Sequence, residues 1–396
     1  MHSSQAKALK SNIWKLKAIH FLSNLVFPVP VVVLFWMDNG LNLTEVMILQ
    51  SIFSITIVVL ELPSGYFADL YGRKTSLVIG SLSLFFAIII YSLGDNFFQF
   101  LVAEILWGIS ASFLSGANLA LLYDTLKNLG EEKEYKKISG SVISYSFIAA
   151  IISSVVGGFI GKINLRLTFY ACVPFFFILL LISLSLKEPR IYKRIVKKDY
   201  IKDFFFTIKK YIIKHSQIKA LILYSAVLLA FTNAVLWLYQ PYFNLSNIDI
   251  VYFGFIFALF NIIAALSSKY AYVIEEKIGK TRSLVILPII LSISYFLMGK
   301  FVFSFAFIFA FIQQFIRGFS EPIITEYINS LTPSRIRATL LSAKSLLTKL
   351  FYASIIPVIG YIADVYTLTQ ALLVLGATTL ISGVLVVLIL YKTKVI

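Results

Sequence analysis

The feature that most limits the fold is a series of apolar runs, each close to the length of a membrane-spanning helix. A helix needs about 20 apolar residues to cross a bilayer. The chain of 396 residues is 59% hydrophobic and 14% charged, whereas about a quarter of the residues in a soluble protein are charged. Twelve such runs lie at roughly 14–37, 45–67, 75–94, 97–123, 141–163, 166–186, 218–240, 249–273, 283–300, 303–329, 339–362 and 369–391. They predict an all-α membrane protein with twelve transmembrane helices.

The positive residues predict how the chain is oriented. Lys and Arg number 35 and give a net charge of +16, and cytoplasmic connectors preferentially retain such residues. With the N-terminus inside, almost all of them fall on the cytoplasmic side. We therefore expect a multi-pass plasma-membrane protein with both termini in the cytoplasm, and the excess charge does not require a nucleic-acid partner. The single cysteine, Cys172, excludes an internal disulfide and a metal site built on cysteines, and we predict no metal or cofactor.

A long connector divides the chain into two halves that resemble each other in sequence. At an offset of 207 residues, Gly72 and Arg73 match Gly279 and Lys280. Parallel six-helix repeats around a central cavity are one way to build an alternating-access transporter. We predict an N-terminal half at 1–186, a basic cytoplasmic linker at 187–217 and a C-terminal half at 218–396.

The linker has two interpretations. Its apolar residues at helical spacing indicate an amphipathic helix on the inner leaflet: Phe204, Phe205, Ile208, Tyr211 and Ile212. Alternatively, the segment is only a positively charged connector between the halves.

The polar stretch 61–77 carries the clearest motif. It contains Gly65, Phe67, Ala68, Asp69, Gly72, Arg73 and Lys74, with Leu70 after the aspartate. This pattern resembles the loop between helices 2 and 3 of the major facilitator superfamily, roughly G-x-L-A-D-R-x-G-R-K, except that Leu70 replaces the first arginine. A second likeness follows helix 10, at Thr332, Pro333, Arg335 and Ser342. The resemblance covers the whole chain in topology but only these loops in motif, and it implies an alternating-access transporter.

The resemblance also implies a gating role for the first loop, since the family uses such charges to hold the cytoplasmic side closed. The implied gating motif is Gly65, Asp69, Gly72, Arg73 and Lys74. Gly65 would let helix 2 pack closely on a neighbour, Gly72 would permit a tight reversal, and Asp69 could pair with Arg73. The alternative is a positively charged turn without a gating role.

Predicted helix 10 has a polar stripe. Gln313, Arg317 and Glu321 are four residues apart and share one face, and Arg317 can pair with Glu321. With a helix start at 303, Arg317 lies about 21 Å along the axis, beyond the centre. Ionisable groups inside a membrane indicate a functional site by default, so a substrate or coupling contact is one interpretation. The other is an ion pair that locks helix 10 to a neighbour.

Predicted helix 4 carries Glu104, four residues before Gly108. In the family that the chain resembles, many proton-driven members have an arginine at this position. Because this chain has a glutamate there, the role of that arginine does not transfer directly. A carboxylate shielded from water binds a proton more readily, which makes Glu104 a candidate for proton coupling. The alternative is a hydrated glutamate near the outer mouth.

The resemblance implies that helices 1, 4, 7 and 10 line the cavity. On helices 1 and 7 the polar candidates are His20, Asn24, Asn233, Trp237 and Gln240. For His20 the alternative is a hydrogen-bonded packing residue. The glycines of helix 5 lack the proline of the family's antiporter motif, and helix packing alone can explain them.

Three functions remain open. The first is a monomeric, proton-coupled exporter of a drug-like or amphipathic small molecule, with the bilayer and the substrate as its partners and a proton gradient as its energy source. The second is uptake or facilitated diffusion of a nutrient on the same scaffold. The third is a membrane sensor without transport. No Ser/His/Asp, metal or nucleotide motif supports catalysis, so we do not expect an enzyme.

Overall fold

The computed structural model describes residues 3–189 and 200–396, and in these ranges all regular secondary structure is helical. Before the linker the helices are α1 (Ser3–Ser23), α2 (Val32–Asp38), α3 (Leu43–Tyr71), α4 (Arg73–Leu93), α5 (Phe97–Leu129), α6 (Tyr135–Ile163) and α7 (Leu167–Leu184). From residue 200 onward they are α8 (Tyr200–Lys214), α9 (Ser216–Ala234), α10 (Tyr239–Leu245), α11 (Ile250–Lys269), α12 (Ala271–Ile278), α13 (Lys280–Lys300), α14 (Ile308–Ser330), α15 (Arg337–Val365) and α16 (Leu368–Lys392).

These helices confirm the predicted all-α layout of twelve segments in two repeats. Within the described ranges, ten helices are long and apolar enough to cross a membrane by length and composition. The first and the tenth of the twelve predicted segments are not among these ten helices. The first segment is interrupted, and the tenth, which corresponds to α14, carries several charged residues. Segments 7 and 8 are each divided as well, into α9 with α10 and α11 with α12.

Predicted helix 1 is wrong as a continuous helix. It breaks between Ser23 and Val32, because Pro28 and Pro30 lack the backbone N–H that a helix interior needs. The glycines of α6 pack against this break. A Cβ added at Gly157 would lie 2.0 Å from the carbonyl oxygen of Phe27, so α6 reaches the interrupted segment only because it has no side chain there.

Predicted helix 10 begins later than expected. Residues 303–307 form turns with bonds between residues three apart, such as the N–H of Ala306 to the oxygen of Phe303 at 2.8 Å, and the α-helix starts at Ile308. Arg317 therefore lies about 14 Å from the start of α14 rather than about 21 Å. This places it near the middle of the helix.

The chain forms two compact units by its internal contacts. One comprises Met1–Phe35 and Thr56–Tyr200, and the other comprises Trp36–Ile55 and Ile201–Ile396. This grouping assigns residues 36–55 to the second unit, where the carboxylate of Asp364 accepts the N–H groups of Leu43 and Thr44 at 3.0 and 2.7 Å. The predicted repeat boundaries at 186 and 218 stay a prediction.

Of the two interpretations of the linker, the structure shows the helix, as α8. Phe204 is buried and Phe206 is exposed. Residues 190–199, and the side chains of Phe205 and Ile212, lie outside the described residues. A position of α8 on the inner leaflet stays a prediction.

The core of the first unit is aromatic. Tyr91 stacks on Phe100 and Phe169 with ring centroids 5.6 and 5.1 Å apart, and Phe35 packs on Phe169 at 4.4 Å. All four rings are almost completely buried. This cluster joins α2 with α4, α5 and α7, and it lies next to Glu104.

Candidate functional site

The loop between α3 and α4 turns on Gly72. Its φ of +98° is strained for any residue with a Cβ. The carboxylate of Glu188 lies over this glycine and accepts the backbone N–H groups of Arg73 and Lys74 at 2.9 and 2.7 Å. An acidic side chain at a helix N-terminus satisfies orphan N–H groups and complements the helix dipole. Gly72 therefore serves both the predicted reversal and the close approach of Glu188.

The charged contact of this loop differs from the prediction. The Arg73 guanidinium pairs with Asp124 of α5, with Nε and Oδ2 3.0 Å apart and both side chains about 10% exposed. The expected partner, Asp69, lies exposed near the end of α3. The reason is the direction of α4, which begins at Arg73 and packs along α5, as the bond from Ser76 Oγ to the Phe113 oxygen shows.

The predicted packing role of Gly65 is wrong for the described residues. A Cβ at Gly65 would meet no heavy atom of the described chain within 4 Å. The position is exposed on α3, so close helix packing does not explain its glycine.

The second unit repeats the turn but not the ion pair. Gly279 has a φ of +85° and precedes α13, as Gly72 precedes α4. Here Lys280 lies 5.0 Å from the ring centroid of Tyr327, and the Tyr327 hydroxyl donates to Glu275 at 2.5 Å. The glycine turn is thus common to both repeats, while a cation–π contact replaces the arginine–aspartate pair.

Glu104 lies inside the first unit. It is 6% exposed and accepts a hydrogen bond from the Tyr91 hydroxyl of α4. Trp107, one turn away, packs edge-on against Tyr91 with centroids 6.1 Å apart. The environment is therefore aromatic and enclosed, unlike the hydrated mouth that was the alternative.

His20 and Asn24 converge on one hydroxyl of α6. His20 Nδ1 lies 3.0 Å from Ser146 Oγ, and Asn24 Nδ2 donates to the same oxygen at 3.2 Å. Asn24 also donates to the backbone oxygen of His20 at 2.9 Å. These bonds satisfy the backbone where α1 ends and brace the interrupted helix on α6.

Both repeats have an interruption in their first helix. The break at residues 24–31 corresponds, at the 207-residue offset, to residues 231–238, and α9 ends at Ala234 before α10 begins at Tyr239. Interrupted helices in corresponding positions of two repeats are a pointer to the binding site of a transporter, because unwound backbone is tolerated in a membrane where it lines a cavity or is buried in protein.

The polar stripe of α14 divides between the core and a cavity. Gln313 is fully buried, accepts a bond from the Tyr239 hydroxyl at 2.5 Å and donates to Ser294 at 3.1 Å. It therefore joins α14 to α10 and α13. Arg317 and Glu321 instead line an open cavity of the second unit.

This cavity, the charged cavity below, has a volume of about 310 Å³. It lies among α9, α14 and α15. Its lining comprises Leu229, Asn233, Arg317, Glu321, Lys344, Ser345, Thr348 and Lys349. The set brings together three predicted residues, Asn233, Arg317 and Glu321, and adds two lysines that the sequence analysis did not select.

Lys344 corrects the predicted pairing of Glu321. Its ammonium group lies 2.7 Å from Glu321 Oε1 and 3.0 Å from Thr325 Oγ1. The Lys344 side chain is 5% exposed, while that of Glu321 is 56% exposed. Because the lysine is enclosed on all other sides, Glu321 neutralises it at the cavity wall, and Arg317 is not the partner of this carboxylate in the described structure.

Arg317 has a neutral partner. Its guanidinium donates to Asn261 Oδ1 of α11 at 3.3 Å, and among the described residues no carboxylate lies within ion-pair distance of it. An arginine at the centre of a membrane helix costs about 3 kcal/mol on insertion scales. The position is held firmly, because a Cβ at the next residue, Gly318, would lie 2.1 Å from the Ala264 oxygen of α11.

The helix 7 candidates lie in three different environments. Asn233 lines the charged cavity and donates to the Leu229 oxygen at 2.8 Å. Trp237 donates to the Tyr352 hydroxyl at 2.6 Å and packs against Trp36 with ring centroids 5.8 Å apart. Gln240 is 1% exposed. Thus Asn233 is at the cavity, Trp237 is one turn further along the chain, and Gln240 is buried in α10.

These features define a class of protein. Two repeats with interrupted first helices, a glycine turn after the second helix of each repeat and a cavity lined by ionisable side chains are typical of membrane proteins that transport solutes.

Comparison with known proteins identifies the family. The model of the Major Facilitator Superfamily matches residues 18–272, and the chain belongs to this family of transporters. An uncharacterized MFS-type transporter of Bacillus subtilis, YxaM, is 23% identical over 334 residues, which cover 80% of each chain. Multidrug resistance protein 1 of the same organism is 29% identical over 170 residues, covering 42% of this chain and 41% of that protein. The crystal structure of the nucleoside transporter NupG has the same fold, with a TM-score of 0.80 at 13% identity over 96% of this chain and 98% of that one.

Proposed function

We propose that this protein is a secondary active transporter that moves a small amphipathic molecule by alternating access, with proton movement coupled through Glu321. The observation that carries the proposal is the charged cavity, in which ionisable residues of α14 and α15 meet. Ionisable residues are costly inside a membrane and are usually retained there for a function. The protein would act as a monomer in the plasma membrane, with both termini in the cytoplasm.

The Glu321–Lys344 pair is the group through which a proton would act on the cavity. Glu321 reaches the cavity, whereas Lys344 is enclosed. A proton that enters the cavity would neutralise Glu321, the one carboxylate among the described residues of the wall. The positive charges of Arg317 and Lys344 would then have no carboxylate beside them in this lining. Proton binding would therefore change the substrate affinity, which is the requirement for coupled transport.

Export is the direction that the name of Multidrug resistance protein 1 supports, for the part of the chain that matches it. Uptake is the second candidate, and the Glu321–Lys344 contact favours it. Because protonation of Glu321 would add net positive charge, a proton and an anion would bind together and travel in the same direction. Exchange would instead require that proton and substrate exclude each other.

Purified protein in liposomes that contain the pH indicator pyranine would test the coupling. Aromatic acids, amides and amines of matched size are added with the outside more acidic, then more alkaline, than the inside. We expect compound movement to change the internal pH, and Glu321→Gln to abolish this change. Glu326→Gln, which removes an exposed carboxylate from the same helix, is the matched control.

The direction of the pH change separates the two candidates, since export by exchange and uptake with a proton respond to opposite gradients. Movement that is equal with and without a gradient, or unchanged in Glu321→Gln, would contradict proton coupling.

A further inference from the structure

We infer that the charged cavity binds an organic anion, with Arg317 as the group that receives its negative charge. The inference names the substrate class of the proposed transport function and rests on that function for its biological role. Three features of the cavity support it: the charge balance of the lining, the partners of its charged groups and the aromatic side chains that follow two lining residues in the chain.

The charge balance of the lining is positive. Among the described residues of the lining, Arg317 and Lys344 lie beside a single carboxylate, Glu321. That carboxylate is engaged by Lys344 at 2.7 Å, so it does not neutralise Arg317. A cationic compound would meet net repulsion here, whereas an anion would supply the missing charge.

Arg317 is already positioned for such a ligand. Its one hydrogen-bond partner in the described structure is the amide oxygen of Asn261, at 3.3 Å. A guanidinium has five N–H donors in a planar fork that fits a carboxylate with two parallel bonds. The tight contact of Gly318 with Ala264 and Ser267 on α11 fixes the backbone at this point. A preorganised donor loses little conformational entropy on binding.

The neighbouring side chains provide further contacts. Lys349 donates to Ser345 Oγ at 2.8 Å within the lining, and Thr348 adds a hydroxyl on the same helix. Trp237 and Tyr352 are hydrogen-bonded to each other, and each follows a lining residue, Asn233 and Thr348 respectively, by four positions in the chain. An aromatic or otherwise apolar body would therefore suit the ligand, with its anionic group toward Arg317.

The volume of the cavity indicates the size of the part of the ligand that it can hold. A cavity of about 310 Å³ corresponds to roughly ten water molecules at about 30 Å³ each. A one-ring or two-ring aromatic acid is of this size.

The test measures binding to the full-length protein in detergent, using indole-3-acetate with its matched neutral and cationic analogues, indole-3-acetamide and tryptamine. Benzoate, benzamide and benzylamine form a second matched set. We expect each acid to bind at least about tenfold more tightly than its amide, because a charge-assisted bond contributes about 1.5–3 kcal/mol, and we expect the amines to bind most weakly. If neither acid binds at millimolar concentration, or if an amide or amine binds as tightly as its acid, the inference is wrong.

Variants locate the site. Arg317→Gln should weaken binding of the acid about tenfold or more and leave amide binding unchanged, while Arg317→Lys should retain part of the affinity. Lys300→Gln, which removes an exposed positive charge outside the cavity, should bind like the parent chain. Equal binding of the acid by Arg317→Gln and the parent would overturn the assignment. The comparison of acid with amide on the unmodified chain decides the case if Arg317→Gln does not fold.

Transport of the same compounds distinguishes this inference from the proposed function. Acids that bind but are not transported into liposomes would support the anion site and contradict the transport proposal. Transport of amines with no binding of the acids would contradict the anion site and leave the transport proposal intact.

Discussion

The ion pair between Arg73 and Asp124 should contribute strongly to the stability of the first unit. The two charges are 3.0 Å apart and both side chains are about 10% exposed. Replacing one partner removes the nearest opposite charge from a group that is nearly buried, and breaking a buried pair in this way costs about 3–5 kcal/mol. For Asp124→Asn we expect the lower end of this range, because an asparagine can still accept one hydrogen bond from the guanidinium.

The loss of stability can be expressed as a decrease in the melting temperature. An unfolding entropy of about 2.1 cal/mol/K per residue over the whole chain converts 3 kcal/mol into a decrease of about 4 °C. Cys172 makes the assay direct, since it is the single cysteine of the chain and is completely buried. A thiol-reactive fluorescent dye therefore reports unfolding of the first unit without an engineered probe.

A double-mutant cycle separates the pair from its surroundings. Arg73→Gln and Asp124→Asn should each destabilise the protein, and the double variant should lose about 2 kcal/mol less than the sum of the two. Glu132→Gln removes an exposed carboxylate from the connector after α5 and should change stability by about 0.5 kcal/mol or less. If Asp124→Asn behaves like this control, or if the two losses are additive, the pair does not stabilise the fold.

Two glycine substitutions test the turn and the helix break by the same dye assay. Gly72→Ala should lower the free energy of unfolding by about 1–3 kcal/mol, because a φ of +98° is strained for alanine and its Cβ would lie 3.1 Å from the Glu188 carboxylate. Gly65→Ala is the control and should be nearly neutral, since the described chain leaves open space there. Equal effects at both positions would refute the role of Gly72 in the turn. Gly157→Ala should be the more damaging, since its Cβ would overlap the oxygen of Phe27 at 2.0 Å and the backbone would have to move. Gly116→Ala, with no described atom within 4 Å, is its control, and a tolerated Gly157→Ala would contradict the close packing of α6 on the break.

The sequence by itself determined the class of the fold. Each spanning segment is long and apolar enough to be recognised alone, since a helix in a bilayer satisfies its backbone bonds internally. The turn at Gly72 and its echo at Gly279 were also readable, because a positive φ selects glycine in both repeats. Pro28 and Pro30 indicate the break in the first helix. The apolar run continues across both prolines, so hydropathy alone predicts an unbroken helix there.

The partners of the charged groups were decided only by the tertiary structure. Spacing along α14 brought Arg317 and Glu321 to one face, but it cannot show which other helix offers a lysine. Lys344 lies near the start of an apolar run. From the sequence alone it can be assigned to the cytoplasmic connector as easily as to the helix. Asp124 is 51 residues from Arg73 in the sequence, at the far end of another helix. Hydropathy averages over the whole circumference of a helix, whereas an ion pair depends on the direction of individual side chains after the helices have packed.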